Sequence, residues 1–342
     1  MLETALHAHL AARGAQHVDD RGVLLPRRYG DPSAEYDALR SGAAVIDLGY
    51  RAIVRAVGAD RVSFLQGMLT NDVARLQPGE GCPTLLLTIQ GRVTADARVA
   101  ALEDALLLEI DVRVRDEMVA ALEKLIIADD VELLGCEPPL ALVGLEGPDT
   151  ERLLGVRLPA YGHAITDVGG VAARVQRASE IGGPGCVVHV VADRAADLWD
   201  ALVRTGARPA GMEALEGRRV EAGVPRIGLD MDGSTLALEV PVEDAISATK
   251  GCYLGQEVVA RGTARGHVNR RLVGLRLDGG TPARGTPLVA DGKSVGHLTS
   301  VAHAFGAGGL AALGFVRREH WDPGTVLQAG DARATVAALP LA

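Results

Sequence analysis

A mixed α+β region followed by a small antiparallel β barrel is the fold class that this 342-residue sequence predicts. Three observations predict it. First, GADRVSFLQG (58–67) and GPDTERLLG (147–155) echo one another 89 residues apart. Each follows a strand-like run and sets Gly-x-Asp before a helix-like run whose Leu comes five residues after the Asp. A two-copy α+β arrangement explains the echo, with chance similarity as the rival explanation. Second, from Arg270 onward the chain breaks into short β-like runs separated by Gly, Pro and Asp-Gly turns, the spacing of a small barrel of about 75 residues. Third, the length suits two or three domains at roughly 100–200 residues each. With 48% hydrophobic and 23% charged residues the chain is ordinary globular material, which excludes a disordered tail, a coiled coil and a collagen-like chain.

Taken in order, residues 2–13 read as a short helix, and Asp31-Pro32 as an N-cap with Pro at N1 opening a helix to about residue 40. Residues 51–57 alternate as a strand, which Gly58-Ala59-Asp60 turns into a helix reaching about 69. Strands follow at 85–89, 93–100 and 106–112. A helix over 115–127 carries Met118, Leu122, Leu125 and Ile126 on one face. Residues 140–145 are strand-like, and Gly147-Pro148-Asp149 opens another helix. Strands near 171–175 and 187–191 precede helices around 195–204 and 213–222. A domain boundary falls near 265, dividing the chain into 1–265 and 266–342.

A formal charge of −9 disfavours non-specific nucleic-acid binding, which needs a cationic surface. No apolar run approaches the ~20 residues of a membrane span, and the N-terminus lacks a signal-peptide pattern. Four cysteines (Cys82, Cys136, Cys186, Cys252) without a CxxC indicate free thiols in a reducing cytoplasm. Only Lys124, Lys250 and Lys293 stand against thirty-two arginines. Of the two cations only Lys readily loses its charge on burial, so each lysine position is informative.

Several motifs mislead. GKSVG (292–296) fits a nucleophile elbow, but Asp291-Gly292 between two β-like runs is a hairpin turn. GAGGLA (306–311) joins two strands rather than opening a helix and reads as a loop. Cys186 and His189, three apart on a strand, point to opposite faces and do not share a metal. His7 and His9 read as an exposed helix end. No resident metal is predicted.

KGCYLGQEVVAR (250–261) is different. It sets Lys250 two residues before Cys252 inside a glycine-flanked loop, where a nearby ammonium lowers a thiol's pKa. A small buried hydrophobe beneath a turn is the equal alternative for Cys252. Residues 258–277 hold Arg261, Arg265, Arg270, Arg271 and Arg276 with no acid, a cationic stripe for a polyanion or else a solvated barrel strand.

The segment Lys-Gly-Cys-Tyr-x-Gly-Gln-Glu, followed by Arg261, resembles the signature of YgfZ-type folate-binding proteins, relatives of the glycine-cleavage T-protein (aminomethyltransferase). Asp47-Leu48, FLQGMLTNDV (64–73), Leu76-x-Pro78-Gly79, RRVEAGVPRIGLD (218–230), Pro241 and GHLTS (296–300) extend the resemblance over roughly residues 20–330. It implies a cloverleaf of two intertwined α+β subdomains plus a C-terminal antiparallel barrel, around a folate-sized hole.

The resemblance implies tetrahydrofolate, or a one-carbon derivative, as the ligand. Asp96, in GRVTADARV (91–99), matches the T-protein carboxylate that faces the folate. Asn71, Tyr253, Gln256, Glu257 and Arg261 are carried over as folate contacts from the matching stretches. Arg219 and Glu221 are second-rank contacts, or equally a helix-surface pair. In EIGGPGCVVHV (180–190) the pterin-binding glutamate of the T-protein is replaced by Pro184 or Gly185, which casts ordinary aminomethyl transfer into question. The YgfZ-type resemblance implies a tetrahydrofolate-binding accessory protein for iron–sulfur clusters. Its partners would be client enzymes or cluster-assembly proteins, with Cys252 as the key thiol and Lys250 as its modulator. One thiolate does not hold a cluster alone. The alternatives are a folate-dependent aminomethyltransferase or demethylase using Asp96, and a non-catalytic scaffold that has lost folate binding.

Overall fold

The structure, a computed structural model, describes residues 1–265, 268–306 and 308–341. Two large sheets, a small three-stranded sheet and a barrel make up the body, and the chain weaves between the two large sheets. Strand Ala44–Asp47 enters the first sheet, after which the chain leaves to build the whole second sheet. That second sheet has five strands in the order Gly81–Leu87, Val93–Ala101, Leu106–Asp111, Arg51–Val57 and Glu132–Gly135. The chain then returns to complete the first sheet, whose six strands run His163–Asp167, Ala172–Gln176, Gly185–Val191, Leu140–Glu146, Ala44–Asp47 and Arg208–Pro209. This interleaving is the expected pair of intertwined α+β subdomains. A closed barrel of six antiparallel strands between Arg270 and Ala337 completes the fold.

The sequence echo has a physical counterpart. Strand Arg51–Val57 leads through Gly58 into helix Arg61–Met68 on the second sheet, and strand Leu140–Glu146 leads through Gly147 into helix Thr150–Leu154 on the first. Both glycines have positive φ (100° and 115°), and at each a Cβ would press within 2.5 Å of a backbone carbonyl oxygen, that of Asp130 or that of Gly42. Only glycine fits either turn. Leu65 and Leu154 both reach the core.

Alternation on strand Val93–Ala101 sends Val93, Ala95, Ala97 and Val99 into the core and leaves Thr94, Asp96 and Arg98 on the opposite face. The two sheets meet through Ile53, Leu107, Leu142 and Val187. Asp31 caps helix Pro32–Ser41 by accepting from the Ser33 amide at 3.0 Å, as its sequence predicts.

Other expectations are corrected. The 2–13 helix is confined to His7–Ala11, because Gln16–Asp20 and Val23–Arg28 pair as a hairpin that also takes Leu2–Glu3 as a parallel neighbour. Beyond the loop between Gly251 and Gly255 the KGCYLGQEVVAR stretch continues as a helix, Gln256–Arg265. Asp291 and Gly292, with φ of 48° and 73°, form the hairpin turn within GKSVG. Ala307 of GAGGLA lies outside the described residues, as do Gly266 and His267 at the expected domain boundary. Among the described residues no His/Cys/Asp/Glu group is placed to hold a metal, and no helix is long and apolar enough to cross a membrane.

Candidate functional site

Where the two sheets face each other, a buried cluster of charge gathers around Arg51. Its Nη1 pairs with Asp96 Oδ2 at 3.3 Å and its Nη2 with Glu180 Oε2 at 3.3 Å. Tyr50, the preceding residue, donates its hydroxyl to the same Glu180 oxygen at 2.7 Å. Arg98 closes the circuit, with Nη1 on Glu109 Oε1 at 2.8 Å and Nη2 against Glu180 Oε1 at 2.6 Å. Strand register explains the arrangement: Arg98, Glu109 and Ile53 stand side by side across three strands, and Arg51 opposes Asp111 one row further on.

Burial alone opposes ionisation of Glu180, but the Arg51 and Arg98 guanidiniums beside it hold its carboxyl well below the usual carboxylate range. Glu109 is likewise held down by Arg98 against the effect of burial. Beneath them Glu146 has no cation in contact among the described residues. It accepts from the Glu180 amide and the Ser179 hydroxyl, both at 2.7 Å, and burial pushes it up to about 8. Three carboxylates (Asp96, Glu109, Glu180) therefore face two guanidiniums. Asp96 is the one of the three with appreciable exposure, 24% of its side chain, and its Oδ1 is buried without a hydrogen-bond partner. Glu109 Oε2 is likewise without a hydrogen-bond partner among the described residues, and Asp96 is the cluster's carboxylate nearest solvent.

The other carried-over residues have contacts of their own. Lys250 is corrected outright. Its ammonium donates to the carbonyls of Gln66, Leu69 and Asn71 at 2.7, 2.6 and 2.7 Å. All three of its protons are thereby used, and it works as a pin on the end of helix Arg61–Met68 rather than as a modulator of Cys252. Burial lowers it to about 8, which still leaves it charged at neutral pH. Asn71 is equally occupied, donating to the carbonyls of Pro83 and Asp244 and accepting from the Asp72 amide.

Arg219 uses every donor it has. It bonds Glu216 twice, Asp230, the Val224 carbonyl and Ser300 of the barrel, so it ties helix Met212–Ala222 to that domain. Glu221 accepts from Tyr36 and Arg218 on the same seam. Arg219 has no donor left for a ligand, whereas Glu221 keeps Oε1 buried and without a hydrogen-bond partner among the described residues. Glu257 and Arg261 form an exposed i,i+4 pair.

Tyr253 and Gln256 line a cavity of about 430 Å³ with Leu238, Ile246 and Val259. Cys252 beside it is exposed, whereas Cys82 and Cys186 are buried and pushed up to about 12. The loop stays close to the 88–91 turn because Gly255, at φ 81°, brings its backbone where a Cβ would stand 2.5 Å from the Thr88 carbonyl oxygen.

At Arg270 and Arg271 the arginine stripe divides between two faces. Arg270 turns to Glu239 and lies over Phe315, while its neighbour Arg271 lies over Trp321 on the other face. The Arg265 side chain is outside the description.

Arg51, Arg98, Glu109 and Tyr50 were not among the residues expected from sequence. Pro184 and Gly185 carry no carboxyl, as the sequence requires, yet Glu180 from the same stretch brings one to Arg51, which also holds Asp96. An arginine at an inward position of a strand was the available signal for Arg51. Nothing local distinguished Glu180.

Two interleaved α+β subdomains, a closed barrel and a buried carboxylate–guanidinium cluster between the sheets define a protein of the T-protein type. Residues 6–250 match the GCVT N-terminal domain and residues 270–341 the glycine cleavage T-protein C-terminal barrel domain. The chain belongs to the glycine-cleavage T-protein family. It is 30% identical over 325 residues to an aminomethyltransferase of Rubrobacter xylanophilus, covering 92% of this chain and 87% of that one. An aminomethyltransferase of Geobacillus kaustophilus is 31% identical over 313 residues, covering 87% and 85%. A putative chloroplastic transferase of Arabidopsis thaliana is 28% identical over 322 residues, covering 92% and 74%. In fold, the chain superimposes on the crystal structure of glycine cleavage system aminomethyltransferase T from Bartonella henselae with a TM-score of 0.89 at 21% identity, covering 100% of this chain and 98% of that one.

Proposed function

We propose that this protein binds tetrahydrofolate, or a one-carbon derivative of it, at the Asp96–Arg51–Glu180 cluster and acts as a folate-dependent aminomethyl or methyl transferase. The region 1–265 is the folate-binding part and 266–342 the barrel domain of that assignment. The observation that carries the reading is Asp96 Oδ1, a buried acceptor without a donor. Leaving such a group unpaired costs ~1–3 kcal/mol, so the cluster suits a ligand that donates a hydrogen bond there. Reduced folates are rich in ring N–H donors and fit that need. The relatives named aminomethyltransferase support the same reading.

When bound, tetrahydrofolate supplies the amine that takes up the one-carbon unit. The chain's own residues do the rest. Arg51 holds one Asp96 oxygen and so fixes the direction of the other, which accepts a hydrogen bond or a proton from an amine. Glu180, kept ionised by Arg98 and Arg51, offsets the Arg51 charge and leaves the acceptor character of Asp96 intact. Tyr50 fixes Glu180 in turn.

The test is formation of methylenetetrahydrofolate from an aminomethyl donor and tetrahydrofolate. Turnover by the native chain and a loss of about 100-fold or more in Asp96→Asn are expected for a group positioned for proton transfer. Absence of any turnover rejects the transferase.

A second reading is favoured by one observation, the exposed Cys252 in a YgfZ-type signature. It is the accessory protein that supports iron–sulfur client enzymes. Under that reading Cys252→Ala lowers client-enzyme activity in cells without lowering the thermal midpoint, and undiminished client activity rejects it.

A further inference from the structure

Beyond the central cluster, the two sheets splay apart at one end and leave a cleft of about 530 Å³, a size typical of small-molecule sites. The row of side chains there is Ala100, Leu107 and Arg55. It lies four residues along the strand from Asp96, ~13 Å at ~3.3 Å per residue. Leu102, Leu107, Leu140 and Val191 give the cleft apolar walls, and Ile165, 69% exposed, stands at its rim.

Two polar groups in this apolar setting are only partly satisfied, where buried polar groups normally have full sets of partners. His189, which lines the cleft, is 3% exposed, yet neither ring nitrogen makes a hydrogen bond. Its Nε2 faces Glu109 Oε2 at 3.6 Å, which leaves Nδ1 as the ring nitrogen with no partner among the described residues. Arg174, directly across the strand pair from His189, is half-buried and has no carboxylate partner among the described residues. Its one hydrogen bond is to Nδ1 of His163, a ring whose Nε2 meets the Ala101 carbonyl. An imidazole that donates to a carbonyl on one side and accepts from a guanidinium on the other is neutral, so it does nothing to balance the Arg174 charge. The other arginine of the cleft, Arg55, is paired with Asp104. An unbalanced guanidinium beside an imidazole whose Nδ1 is open, inside apolar walls, calls for an anion with an apolar body.

We propose that this cleft is a second ligand site, distinct from the Asp96 cluster, which takes a small monocarboxylate carrying an aliphatic or aromatic body. The carboxylate meets Arg174 and His189, and the body lies against Leu102, Leu107 and Val191.

Octanoate is the probe, titrated calorimetrically into the full chain, with octanol and octylamine as charge controls. Saturable one-to-one binding of octanoate is expected, with octanol at least tenfold weaker and octylamine without measurable binding. Arg174→Gln is expected to weaken octanoate about tenfold or more, the fold-change of one lost charge-assisted hydrogen bond. Ala172→Glu, at an exposed position on the cleft, places a like charge beside the head group and weakens binding without touching the core. It decides the matter if Arg174→Gln does not fold. Asp96→Asn leaves octanoate affinity unchanged, which separates this site from the folate reading. The proposal is overturned by no saturable heat with octanoate, by octanol binding as tightly, or by undiminished affinity in the folded Arg174 or Ala172 variant.

Discussion

Replacing Lys250 by Met tests most sharply what the signature segment does. In the native chain its ammonium serves three carbonyls, of which Gln66 O belongs to the last turn of helix Arg61–Met68, where carbonyls have no partner within the helix. A cation at a helix C-terminus also suits the helix dipole. Met fills the stem's volume but donates nothing. Each buried acceptor left unpaired costs ~1–3 kcal/mol, and release from desolvating the ammonium returns part of that sum, so the low end, about 3 kcal/mol, is the expected loss. At roughly 2–4 °C per kcal/mol for a domain of this order of size, the thermal midpoint falls by about 6–12 °C. Differential scanning calorimetry reads the shift, and the alkylation rate of Cys252 by iodoacetamide is measured on the same samples below the transition. The structural role predicts a lower midpoint with the alkylation rate nearly unchanged. A midpoint within about a degree of native, together with a slower Cys252, refutes the reasoning and restores Lys250 as the modulator of the thiol.

Three other outcomes follow from the same geometry. Arg219→Met breaks a fully buried network with Asp230, Glu216 and Ser300, and urea unfolding should show a loss of about 3–5 kcal/mol; unchanged stability with lost tetrahydrofolate binding would instead make Arg219 a ligand contact. Glu146 sits at about 8 against an ordinary 4.5, so the folded chain holds a proton there that the unfolded chain releases. That contribution is complete below pH 4.5 and is lost as pH rises through 8, so the urea midpoint of the native chain relative to Glu146→Gln should decline between those values; a constant difference contradicts it. Ellman's reagent should label Cys252 first in the native state and Cys82 and Cys186 only on unfolding, and mass spectrometry of the trapped product checks the order.

What was legible in the sequence was what local chemistry dictates. Gly58 and Gly147 marked equivalent turns because no other residue fits them, and Asp291-Gly292 marked a hairpin. The barrel was visible as short runs broken by turn residues. Sequence proximity misled at Lys250, whose partners lie some 180 residues away across the fold. Alternation put Asp96 on the face opposite the core but gave no sign of Arg51, 45 residues earlier, or of Glu180, which reaches Arg51 across 129 residues. Arg219 matched a family helix at the ligand hole, yet its five donors all find partners within the protein. Side-chain partnership between distant strands follows from register, and register is set by the packing of the whole sheet rather than by any one segment.

The central claim is that Asp96, oriented by Arg51 beside Glu180, is the acceptor for a bound folate. Calorimetric titration of the native chain and of Asp96→Asn with tetrahydrofolate under reducing conditions tests it most directly. One-to-one binding by the native chain, weakened about tenfold or more in Asp96→Asn while the thermal midpoint holds, is the predicted result. Equal affinity in the two proteins, or no binding by either, contradicts it.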